Sequence, residues 1–221
     1  GRMFAKDGFA AAAVDAGLTD AMVSVHGDGP GLHDALVDSP GAFDALAAGV
    51  TALRAAGVER LSANTTVVRE NVGRLEALAR TLLGLGLRRA EFIFVDPTVG
   101  GAADDPERWV PRLSQAAPAM RAALEAGRAA GTSEWCVRYV PLCLFAGWLD
   151  QVSELREARA FDSVEHWAPD FHNADVRGSR REAARVRTAR CAGCRLEPAC
   201  EGLWRPYYER WGDAELEPVH G

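Results

Sequence analysis

No apolar run in this sequence reaches the roughly 18 residues that a membrane-spanning helix requires, and no charged-then-apolar leader opens it. A basic excess is missing too. The 25 Lys and Arg residues stand against 31 Asp and Glu, a formal net charge of −6, which argues against a nucleic-acid partner. Cysteine is scarce, with five in 221 residues. These absences predict a cytoplasmic chain with no membrane partner, whose thiols act as metal ligands, nucleophiles or core residues rather than as disulfides. What is present, 48% apolar and 25% charged residues, suits one domain with a sizeable core and a small appendage. The opening Gly-Arg-Met-Phe has no initiating Met and reads as a chain entered mid-element.

Helical patterns alternate with short β-rich runs. A first helix over FAAAAVDAG ends at Gly17, and AMVSV (21–25) follows as a strand. The next helix is predicted to start with Ser39 as N-cap and Pro40 in its first turn; Phe43, Leu46, Ala47, Val50 and Leu53 form its apolar face, and Gly57 stops it. RLSANTTVV (60–68) is the second strand. Asn71 is expected to cap a helix that turns Leu75, Leu78, Leu82 and Leu85 inward, and AEFIFV (90–95) is the third strand. A further helical stretch carries Pro111 and Pro118 as kink points, before a last apolar run, WCVRYVPLCLF. Strands alternating with helices of this length predict an α/β chain with a parallel sheet. Periodicity leaves open sheet and barrel undecided.

Polar residues sit where a packed interior calls for aliphatic ones. Met22, Ser24 and His26 share one face of the first strand, and Ser62, Asn64 and Thr66 share one face of the second. Asp28, His33, Asp34 and Asp96 fall just past strand ends, where parallel folds bind ligands. Ser24 and Asn64, then His26 and Asp28, are the candidate cofactor contacts, while His33 with Asp34 is expected to order the loop. The arginine run at 177, 180, 181, 185, 187 and 190 predicts a solvated helix face, or else a dock for an anionic cofactor or acidic peptide. Near the end, Cys191, Cys194 and Cys200 form a C-x2-C-x5-C set. Such soft thiols are reactive or metal-ligating, and their spacing suits iron–sulfur and zinc alike.

In this order, GRMF, VSVHGDGPGLHD, ANTTVVRENVGRLEAL, FIFVDPTVG and VPLCLFAG resemble the later barrel strands of radical S-adenosylmethionine enzymes. The closing CAGCRLEPACEGLWRPYYERWGDAELEP is similar to the auxiliary-cluster tails (SPASM and twitch types) of that family. The resemblance implies a partial (β/α) TIM-like barrel over residues 1–130, with Ser24 on the fourth strand, Asn64 on the fifth and Phe94 on the sixth. It also implies a Cys-rich metal-binding extension over 131–221 holding an auxiliary [4Fe–4S] cluster. Such a cluster needs four thiolates as a rule, and Cys143 is the expected fourth beside Cys191, Cys194 and Cys200. Cys136 is expected to be a core thiol, and Trp204, Tyr207, Tyr208 and Trp211 an aromatic helix face that lids the cluster. Family members cleave S-adenosylmethionine to a 5′-deoxyadenosyl radical at a Cys-x3-Cys-x2-Cys cluster fed by an external electron donor, and so modify a peptide or small molecule. This sequence contains no Cys-x3-Cys-x2-Cys. It reads as the C-terminal portion of such an enzyme, inactive alone. The rival expectation is a non-catalytic binding protein with a structural zinc.

Overall fold

The computed structural model describes residues 1–220. In chain order its elements begin with α1 (Phe9–Asp15), β1 (Asp20–Ser24), α2 (Pro30–Leu36), α3 (Ala42–Ala55), β2 (Arg60–Val67) and α4 (Leu75–Gly84). Next come β3 (Arg89–Phe94), α5 (Gly100–Asp104), α6 (Pro106–Trp109), α7 (Leu113–Ala129) and β4 (Trp135–Arg138). After a 3-10 segment over Leu142–Gln151 follow α8 (Ser153–Ala160), the strand pair β5 (His166–Trp167) and β6 (His172–Asn173), and α9 (Val176–Ser179). The pair β7 (Arg185–Val186) and β8 (Leu203–Trp204) and helix α10 (Arg205–Trp211) close the chain. Among the described residues no helix is long and apolar enough to cross a membrane.

The four long strands form one parallel sheet in the order β1-β2-β3-β4. The alternating α/β reading with a parallel sheet therefore holds; among the described residues the partial TIM-like barrel is not shown, and the sheet has four strands. Its fourth strand lies beyond residue 130, so the sheet draws on both segments that the sequence divides. Burial alternates along β2, with Leu61, Ala63, Thr65 and Val67 buried and Ser62, Asn64 and Thr66 half-buried. The buried face meets α3, α4 and α7 through residues such as Leu53, Leu78, Leu82, Phe92 and Leu124. Each such side chain taken from water contributes about 2 kcal/mol.

The opposite face is not covered in this way. Met22 is 60% exposed, Ser24 is exposed and Glu91 half-buried. Parallel sheets are normally covered on both faces; here the β1 end of this face is open, while Ser153 and Glu157 of α8 cover its β4 end.

Several local expectations change. Helix α2 was not legible in GDGPGLHDALVDSPG. The cap of α3 comes from it: Asp34 accepts from the Gly41 and Phe43 N–H groups at 2.6 and 2.8 Å, so Ser39 is not the N-cap. Asn71 caps no helix with its side chain. It is wholly buried and accepts from Val68 N–H at 2.8 Å while donating to the Thr66 and His26 carbonyls at 2.8 and 3.0 Å. Leu85 is only half-buried. Pro118 lies inside α7, which begins just after Pro111.

Candidate functional site

One register line carries the polar row across this partly open face. Ser24 lies opposite Asn64, Asn64 opposite Glu91, and Glu91 opposite Cys136. The two foremost cofactor candidates, Ser24 and Asn64, are thus brought side by side. Asn64 Oδ1 is buried without a hydrogen-bond partner, an unmet acceptor of the kind that ligands satisfy. Glu91 accepts from Arg138 Nε at 2.8 Å and from the Ser153 hydroxyl. Burial opposes the charge on Arg138, yet the hydrogen bond to Glu157 and the field of Glu91 outweigh it and raise its pKa.

His26 stands just beyond Ser24. Its Nδ1 accepts from the Thr66 N–H at 3.2 Å, its own N–H donates to His33 Nδ1 at 3.1 Å, and the two rings stack 6.1 Å apart. Burial, then the neighbouring His33, lowers His26 to about 4. The ring is neutral, and with Nδ1 accepting, its proton sits on Nε2. His26 is therefore a fixed neutral donor at the strand end. Asp28 is differently placed. Its carboxylate is engaged by Arg74, with Nε at 3.1 Å, in a depression shared with Gly29, Gly31, Leu32 and Glu70. It does not join Ser24 and Asn64.

A cleft opens over the C-terminal ends of β2 to β4, lined by Thr66, Ile93, Asp96, Val99, Trp109 and Tyr139 among others. Asp96 accepts from the N–H and hydroxyl of Thr98 at 2.8 and 2.6 Å, an Asx-type turn that shapes the rim. Tyr139 leaves β4 with φ +66°, a conformation uncommon for an aromatic residue. Its N–H is held by the Glu154 carboxylate at 2.6 Å, and its ring meets Trp204 edge-on at 5.3 Å.

Cys143, Cys191, Cys194 and Cys200 line one cavity with Pro141, Leu196, Leu216 and Pro218 among its other walls. Burial, and after it the neighbouring thiols, pushes Cys143 up to about 11; burial raises Cys200 as well. Backbone N–H groups are aimed at the sulfurs. Leu142 and Gly202 donate to Cys200 Sγ at 3.5 and 3.4 Å, and Val219 donates to Cys194 Sγ at 3.4 Å. Among the described residues no three His, Cys, Asp or Glu side chains are gathered into a site for a metal ion. The four thiols share one cavity. Cys136 sits apart on β4, beside Glu91, its pKa raised by burial. The strand ends at Arg138 and Cys143 lies in the 3-10 segment, so strand alternation is not what separates the two cysteines.

The aromatic tail does not lid this cavity. Tyr207 is buried, meets Phe94 at 6.1 Å, accepts from the Leu113 N–H at 2.9 Å and donates to Glu215; Tyr208 is 38% exposed. The tail is docked onto β3 and α7 instead. The arginine run is a solvated face only in part: Arg181, Arg187 and Arg190 are exposed, and other members are drawn inward. Arg180 pairs with Glu201 at 2.9 Å, Arg187 donates to the Cys200 carbonyl at 2.8 Å, and buried Arg185 lies 3.6 Å over the Trp204 ring. Sequence reasoning passed over Glu91, Arg138 and Glu154. For Glu91 and Arg138 the available signal was a charge inside the apolar strands AEFIFV and WCVRYV; Glu154 lies in α8 and carried no such signal.

No known protein family, curated protein or solved structure matches this chain.

Proposed function

We propose that the chain forms the cofactor-binding wall and auxiliary-cluster lobe of a radical S-adenosylmethionine enzyme that modifies a peptide or small molecule. The observation that carries this reading is the gathering of Cys143, Cys191, Cys194 and Cys200 around one cavity from two distant stretches of chain. Buried thiols with raised pKa values are poor free nucleophiles at neutral pH, whereas N–H donors on sulfur suit thiolates that ligate a cluster. A single zinc, bonded at about 2.3 Å to each sulfur, requires ligands that converge on one point. A [4Fe–4S] cubane gives each thiolate its own iron and spreads them apart. Structural zinc is the rival reading, and the metal that the chain binds separates the two.

When bound, the cluster would supply one-electron chemistry, with electrons from an external donor. The chain's own residues do the rest. Cys143, Cys191, Cys194 and Cys200 would hold it, and the N–H groups of Leu142, Gly202 and Val219 would stabilise the sulfur charge. Ser24 and the unmet Asn64 Oδ1 offer an acceptor pair to ribose hydroxyls or the methionyl ammonium, and His26 Nε2–H offers a donor. These polar groups at the open end of a sheet face support the barrel-wall reading.

Iron and acid-labile sulfide measured after anaerobic preparation test the proposal. Replacing any of the four cysteines by Ala should remove most of the iron, while Cys136→Ala should retain it. Zinc without iron in the unmodified chain would overturn the cluster.

A further inference from the structure

The hairpin β5–β6 and its flanks expose three large aromatic side chains. Phe161, Trp167 and Phe171 are 59%, 71% and 49% exposed, although such residues usually supply core burial. They are nonetheless held in place. The Trp167 indole stacks on the His172 ring at 3.6 Å, and its N–H donates to Glu165 Oε2 at 3.1 Å. The same carboxylate oxygen meets His172 Nε2 at 2.8 Å. Phe171 is braced edge-on by His166 at 4.9 Å. One face of the indole is covered, its polar edge is satisfied, and the other face is open to solvent.

The segment's own charges have one sign, with Arg177 Nη2 on its flank donating to the Phe161 carbonyl at 2.7 Å. From Phe161 to Asp175 the chain carries Asp162, Glu165, Asp170 and Asp175 and no Lys or Arg. Asp162 and Asp170 are exposed. An open indole face attracts a cation through the ring quadrupole, and surrounding carboxylates strengthen that preference.

We propose that this hairpin is a docking surface for a peptide segment bearing Lys or Arg. One cationic side chain lies on the open face of Trp167, Phe171 packs against its aliphatic stem, and Asp162 and Asp170 match the remaining charge. The sign of the patch decides between occupants. Two copies of the chain would set like charges against each other, and a cytoplasmic-leaflet membrane is itself anionic. The inference does not rest on the cysteine cavity and stands or falls apart from it.

The test is fluorescence anisotropy of the full chain with a fluorescein-labelled decapeptide of alternating Lys and Gly, against its Glu–Gly counterpart. The Lys peptide should bind, more weakly as salt rises, and the Glu peptide should not. Trp167→Ala should weaken binding about two- to five-fold, the size of one exposed cation–π contact, and Trp167→Phe should keep part of it. Asp162→Asn with Asp170→Asn should weaken binding and flatten its salt dependence. Unchanged circular dichroism would tie these losses to the surface rather than to unfolding. No binding of the Lys peptide, or equal binding of both peptides, would overturn the proposal. So would a dimer in sedimentation that Trp167→Ala dissolves.

Discussion

His26 and Asn71 join the C-terminal ends of β1 and β2 through single side-chain atoms, and both should be visible in stability measurements. The His26 pKa is lowered in the folded chain from 6.5 to about 4. Below the unfolded value the unfolded chain binds more protons than the folded one, so stability falls as pH drops from about 6.5 towards about 4 and levels off beneath. Partial exposure trims the full effect to about 2–3 kcal/mol. His26→Asn, which can offer Oδ1 to the Thr66 N–H in place of Nδ1, should flatten that part of the profile. Denaturant unfolding across this pH window measures the slope. An unchanged slope in the variant would assign the effect elsewhere, for instance to His33, which burial also lowers. At this scale the sequence was half legible. Period-two spacing put Ser24, His26 and Asn64 near one another, but the part played by Asn71 depends on strand ends that only the paired sheet brings together.

A glycine lets α7 approach the sheet closely at Trp135. A Cβ added at Gly127 would lie 2.7 Å from the Trp135 ring, which is fully buried and has nowhere to retreat. Gly127→Ala gains about 1 kcal/mol of helix propensity and incurs about 1–3 kcal/mol of overpacking. The packing term should win, with net destabilisation of up to about 2 kcal/mol in chemical unfolding; a more stable variant would mean that Trp135 can shift. Long periodic elements such as α3 and α4 could be read because a core-facing stripe and a terminal glycine mark each one, whereas α7 was read only as a helical stretch with two prolines as kink points. Helix α2 could not. It is a seven-residue element amid glycines, with no stripe, and its value lies in sending Asp34 to cap α3. The arginine run misled for a related reason. Charge density predicts solvent, but Arg180, Arg185 and Arg187 find partners in the Cys200–Trp204 stretch, a pairing that no local pattern reveals.

Across the whole molecule, the cleft and the cysteine cavity lie on either side of one short stretch of chain. Tyr139 lines the cleft and Pro141 the cavity, while Trp204 packs on Tyr139 from the tail. A ligand that holds Cys143 together with Cys191, Cys194 and Cys200 would therefore fasten the tail to the end of the sheet. Its binding free energy would become part of the folding free energy of this lobe. The arginines report on that coupling, because Arg187 is anchored to the Cys200 carbonyl and Arg180 to neighbouring Glu201. If the Cys200 segment loosens, these side chains lose their anchors and the 177–190 stretch becomes a substrate for trypsin. Cluster-loaded protein should resist cleavage there, and protein stripped with an iron chelator should be cut several-fold faster while its sheet domain persists as a stable fragment. Cys136→Ala, loaded with cluster, should behave as the unmodified chain does. Equal cleavage of loaded and stripped protein would mean that the tail is held by Tyr207, Trp204 and the arginine contacts alone, and that the four thiols share a cavity without sharing a metal.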